Sequence, residues 1–152
     1  MNMELSVFDQ YFNELVLSES IKNRIQDIAT NISLLYTGIE FSDIFLNNIT
    51  NSGILEFTSL WLFSENYVVE CKNFINEDDF DLTVLNKNVL YFNVQKSDYY
   101  DWENPTACSR VVFNMLVNNG KLSCNLIASG VNCKYAFKIV QKCFLRNMIS
   151  VR

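Results

Sequence analysis

Histidine is absent from this 152-residue chain, proline occurs once and glycine four times. Lack of histidine removes the commonest general base, the usual partner of a nucleophilic serine or cysteine, and the commonest zinc ligand. So little proline and glycine leaves no Pro- or Gly-rich linker, and no Gly-x-Gly-x-x-Gly or P-loop spacing is present to cradle a phosphate. Cys71, Cys108, Cys124, Cys133 and Cys143 are odd in number and never spaced Cys-x-x-Cys, so neither a disulfide framework nor a zinc knuckle is signalled. They read as reduced, buried, small apolar residues. The longest apolar stretches, residues 54–63 and 111–117, are broken by polar side chains and fall short of the roughly 20 residues of a membrane helix. The opening residues lack the basic head and apolar stretch of a secretory signal. A cytoplasmic protein without a membrane span is the expectation.

What is present is a chain with 49% apolar and 14% aromatic residues, enough to build one core of ordinary domain size. Residues 6–37 carry helical periodicity: Val7, Phe8, Tyr11, Phe12, Leu15 and Val16 first, with Ser6 as N-cap, then Ile21, Ile25, Ile28, Ile32 and Leu35, closed by Gly38. Residues 41–52 read as loop because of their asparagine clusters. From Gly53 the period becomes two. Residues 53–63 and 67–74 read as strands about the Ser64-Glu65-Asn66 turn, and residues 82–85 and 89–95 as a hairpin about Asn86-Lys87-Asn88. Residues 110–117 and 121–128 form a further hairpin about Asn118-Asn119-Gly120. Residues 132–149 return to helical spacing, with Asn132 as N-cap. The prediction is a single α+β domain over residues 1–152: N-terminal helices, about six mostly antiparallel strands within 53–128, and a C-terminal helix packed on the sheet.

Charge is strongly polarised. Residues 1–103 hold all 17 acids and five bases, whereas residues 104–152 hold seven bases and no acid. Two acidic clusters stand out: Glu77, Asp78 and Asp79 with Asp81, and Asp98-Tyr99-Tyr100-Asp101-Trp102-Glu103. Aromatic rings beside carboxylates suit a binding surface, where rings anchor and acids pair with Lys or Arg of a partner. Both clusters are therefore candidate partner-binding sites, and their sign repels nucleic acid. Lys134, Lys138, Lys142 and Arg146 recur every four residues and share one helix face, as a solvated face or an anion-binding stripe would. Cys133, beside the expected N-cap, reads as core and not as a nucleophile. The acids lie in surface-type loops with no sign of a raised pKa, and the Glu77 cluster lacks the central glycine and terminal glutamate of a calcium loop. No catalytic residue, metal ligand or cofactor is assigned, and the chain is expected not to be an enzyme.

In size, acidity and its Asp98 to Glu103 segment, the chain resembles the small acidic immunity proteins of bacterial toxin systems, especially those of contact-dependent growth inhibition. That segment resembles the Tyr-Tyr-containing acidic surface of colicin nuclease immunity proteins. The resemblance implies an inhibitor that binds a basic toxin domain, a nuclease above all, and occludes its active site. Successive antiparallel strands closed by a terminal helix also resemble a pleckstrin-homology-like module. That likeness implies an adaptor for a protein or an anionic membrane surface, although Glu65 stands in the first strand turn where lipid-binding members carry bases.

Overall fold

The computed structural model describes residues 8–35, 40–51, 55–57, 59–72, 81–89, 91–96 and 110–145. Helix α1 (Asp9–Leu15) buries Tyr11 and Phe12, with Asp9 complementing the helix dipole in the first turn. It stops at Val16, whose left-handed backbone (φ 56°) returns its amide to the carbonyl of Asn13. Helix α2 (Glu19–Leu35) starts two residues earlier than its apolar period, because Ser18 Oγ accepts the amide of Ile21 at 3.3 Å. Its Ile25, Ile28, Ala29 and Ile32 are fully buried. The expected caps Ser6 and Gly38 lie outside the described residues.

Among the described residues nine strands follow: β1 (Asp43–Asn47), β2 (Thr50–Asn51), β3 (Leu55–Glu56), β4 (Ser59–Phe63), β5 (Tyr67–Lys72), β6 (Asp81–Asn86), β7 (Tyr91–Lys96), β8 (Arg110–Val117) and β9 (Leu122–Ser129). They form a four-stranded sheet ordered β1-β4-β5-β6, a three-stranded sheet β7-β8-β9, and the short pair β2-β3. Every pairing is antiparallel. The C-terminal helix α3 (Asn132–Ile139) widens into a π-helical turn (Val140–Leu145) and packs against the sheets. The α+β class and the order of helices, antiparallel strands and closing helix are as the sequence predicts.

Three expectations need correction. Residues 43–47 are a strand and not loop. Ile44, Phe45 and Leu46 are buried together, so β1 is covered on both faces and shows no alternation to read. The single strand expected over 53–63 is two: β3 turns back on β2, and the buried Phe57 separates it from β4. The hairpin about Asn86-Lys87-Asn88 does not form: among the described residues β6 pairs with β5 alone and β7 with β8 alone. That bend is a crossing between sheets, held by Asn118, whose amide donates to Asn86 O (3.1 Å) while its Oδ1 accepts the Asn86 amide (3.3 Å).

Strand β4 organises the core. On one of its faces Trp61 stands beside Phe45 and Glu70 in register, and Phe63 meets Phe144 of the closing helix edge-on at 5.8 Å. On the other, Leu60 and Leu62 stand beside Cys71 and Val69, where Arg24 of α2 acts on the Cys71 thiol. Ile25, Ile28 and Ile32 of α2 share one buried core with Leu60 and Leu62 of β4, and Phe144 of the closing helix shares it with Phe63. A second junction between the sheets lies at β1 and β9: Asn48 donates its amide to Ile127 O (2.8 Å), and Asn47 Oδ1 accepts the Ile127 amide (2.7 Å).

Candidate functional site

Of the sequence-assigned partner-binding residues, Asp81 lies among the described residues. It is exposed at the first position of β6, in register with Lys72. Glu77, Asp78, Asp79, Asp98, Tyr99, Tyr100, Asp101, Trp102 and Glu103 lie outside them. In chain order they belong to the connections 73–80, between β5 and β6, and 97–109, between β7 and β8. Those two connections carry six acids and no base.

The basic stripe of the closing helix faces acids of its own chain. Lys134 Nζ lies 2.6 Å from Glu14 Oε2 on α1, and Lys142 Nζ lies 3.0 Å from Asp43 Oδ2 on β1. Lys138 Nζ lies 5.6 Å from the centroid of the Tyr135 ring. The hydrogen bonds that Glu14 accepts from Lys134 and Tyr135 hold its carboxyl below the usual carboxylate range. The Tyr135 hydroxyl is pushed up to about 12, by burial first and then by that same carboxylate. Asp43 is a second hub, accepting from Ser42 Oγ (2.8 Å) and from the Cys143 thiol (3.8 Å) as well as pairing with Lys142. Arg146 lies outside the described residues.

Between α1, β1 and α3 these groups leave a cleft of about 240 Å³, lined by Gln10, Tyr11, Asp43, Ile44, Tyr135 and Lys138 among others. It is smaller than the roughly 300–1,000 Å³ of pockets that engulf an organic ligand. Its floor is structural. Tyr11 donates its hydroxyl to Asn132 Oδ1 (2.8 Å) and accepts the Leu46 amide (2.9 Å), and Asn132 Nδ2 donates to Leu46 O (2.8 Å). Asn132, expected as a helix cap, serves instead to close the outer edge of β1.

Among the described residues Cys71, Cys124, Cys133 and Cys143 are buried, and Cys108 lies outside them. Burial pushes the Cys71 thiol up to about 12 and the Cys143 thiol to about 11, and raises Cys124 further. Cys133, at the start of α3, has no exposed surface. A thiol in such surroundings is held protonated, away from the thiolate that a nucleophile or metal ligand requires. Among the described residues no group of three His, Cys, Asp or Glu side chains could hold a metal ion, and no helix is long and apolar enough to cross a membrane.

Sequence reasoning missed Glu14 and Asp43 as partners of the stripe, and no local signal could have revealed them: Lys134 and Glu14 are 120 positions apart. No protein-family model, curated protein or solved structure matches the chain.

Proposed function

We propose that this protein is a non-enzymatic immunity or inhibitor protein that binds a basic toxin domain, a nuclease above all, and occludes its active site. One observation carries the reading: the polarity of charge along the chain, with acids gathered in two segments that contain no base. Lys134 and Lys142 of the closing helix are ion-paired within the chain, with Glu14 and Asp43, while the connections 73–80 and 97–109 contain six acids and no base. A basic partner that meets those two segments meets net negative charge, which raises its encounter rate and sets its register. Tyr99, Tyr100 and Trp102 supply rings of the kind that anchor interfaces. The ion pairing of Lys134 and Lys142 within the chain also takes support from the alternative, an adaptor resting on anionic membrane through the stripe.

The test is binding to the toxin encoded beside this chain's own gene. Replacing Tyr99, Tyr100 and Trp102 with alanine, and Asp98, Asp101 and Glu103 with their amides, is expected to weaken that affinity by at least about 30-fold, or about 2 kcal/mol. Unchanged affinity in calorimetry refutes the proposal, as does turnover of a substrate by the purified chain.

A further inference from the structure

The cleft between α1, β1 and α3 is lined by described residues alone, and two of its lining groups carry opposite charge without pairing with each other. Lys138 of α3 is exposed and, among the described residues, pairs with no carboxylate. Its Nζ stands 5.6 Å from the centroid of the Tyr135 ring, which lines the same cleft. The lysines one turn before and one turn after it already hold the nearby acids, Lys134 pairing with Glu14 and Lys142 with Asp43. Asp43 of β1 meets Ser42 Oγ, the Cys143 thiol and Lys142 Nζ through a single oxygen, Oδ2. Its other oxygen, Oδ1, has no partner among the described residues, and the side chain is 22% exposed. Phe8, Ile44 and Ile139 supply the apolar part of the wall.

We propose that this cleft binds a free α-amino acid with an apolar side chain. The ligand's carboxylate pairs with Lys138 Nζ, its ammonium donates to Asp43 Oδ1, and its side chain lies against Phe8, Ile44 and Ile139. Charge selects this class. A ligand with an acid alone brings its charge beside Asp43, and one with an amine alone brings it beside Lys138, whereas a zwitterion answers both. Size agrees, because a cleft of about 240 Å³ is below the volume that engulfs a larger organic ligand and admits one amino acid. The helix beside the cleft also changes form there: α3 passes into its π-helical turn at Val140, directly after Ile139, a distortion that recurs at functional sites. A molecule held by α1, β1 and α3 together binds the folded chain and stabilises it. The site shares no residue with the acidic segments, so the basic-partner reading stands or falls separately.

The test is a titration of the full chain, labelled with nitrogen-15, with L-leucine and with two analogues that each lack one of its charges, isocaproate without the amine and isoamylamine without the carboxylate. Leucine is expected to move the amide signals of Gln10, Asp43, Tyr135 and Lys138 and to bind at least about tenfold tighter than either analogue, the worth of one charged hydrogen bond. Lys138→Met, at an exposed position, is expected to keep its melting temperature and to bind leucine no better than isoamylamine, because the carboxylate has lost its partner. Comparing the three ligands on the parent chain needs no variant. Isocaproate binding as tightly as leucine overturns the proposal in favour of a plain anion site, and isoamylamine doing so overturns it in favour of a cation site. Signals that move only outside the cleft, a Lys138→Met chain that keeps its preference for leucine, or no binding of leucine up to about 10 mM overturn it as well.

Discussion

Replacing Tyr11 with phenylalanine removes one oxygen and tests whether the outer edge of β1 is closed by side chains. The hydroxyl of Tyr11 satisfies two buried groups at once, the Leu46 amide at 2.9 Å and Asn132 Oδ1 at 2.8 Å. Phenylalanine fills the same space, so the loss is polar and leaves both groups in an interior where Tyr11 is 4% and Leu46 and Asn132 are 0% and 2% exposed. Each orphaned group costs about 1–3 kcal/mol, which makes a destabilisation of about 2–6 kcal/mol for the pair. At this chain length a kilocalorie moves the melting temperature by about 2–4 °C, so the variant should melt about 10 °C below the parent. Urea titration followed by circular dichroism reads the free energy directly. Asn132→Leu strands Leu46 O in the same way, and the double variant should cost less than the sum of the singles by about 1 kcal/mol or more, because both touch one network. A loss below about 0.5 kcal/mol for Tyr11→Phe, or strict additivity, would refute the closed-edge argument and imply that water reaches the site.

Four further outcomes follow from named contacts. Glu14→Gln should destabilise the chain near neutral pH; because the folded carboxyl titrates below its ordinary 4.5, that difference persists above 4.5 and vanishes as pH falls through the lowered folded value. A difference that grows on acidification in pH-dependent melts would contradict the Lys134 pairing. At pH 8 the native Cys71 thiol should alkylate about a thousandfold more slowly than in urea, since its pKa is raised from 9.0 to about 12, and equal labelling in mass spectrometry would place it outside the core. Lys87→Met removes the ammonium that donates to Ser64 O (2.6 Å) and Glu65 O (3.2 Å), and should cost about 1.5–3 kcal/mol in urea titration. Ser59→Ala should be neutral or stabilise by up to about 1 kcal/mol, because Ser59 Oγ is buried without a hydrogen-bond partner; a clear loss would show that the hydroxyl is satisfied in solution.

The legible parts of the fold are those in which local period and local geometry agree. Asn118, Asn119 and Gly120 all adopt positive φ (57°, 60° and 77°), the conformations these residue types tolerate best, and they join β8 to β9 as expected. Helix α2 declares itself by four buried positions at steps of three and four. By contrast β1 is apolar on both faces, and a five-residue strand of that kind has no period to detect. The Asn86-Lys87-Asn88 bend has the composition of a hairpin, but composition sets how the chain turns and not which strand receives it. Asn118, 32 positions away, holds Asn86 instead.

The same division governs the candidate site. A sequence shows which charges a chain carries, while neutralisation depends on contacts made across its length. Lys134, Lys138 and Lys142 look alike by spacing, yet two of them pair with Glu14 and Asp43, and the third lies over a tyrosine ring. Pairing of this kind subtracts from what a partner can meet, so a surface reading drawn from charge counts must be recalculated once the fold is known. Here the subtraction falls on the bases of the closing helix, and the acids of residues 73–80 and 97–109 have no base within their own segments to offset them. Each such pair removes one acid together with one base, so the net charge of −5 is unchanged and what the fold alters is which lysines a partner can still meet.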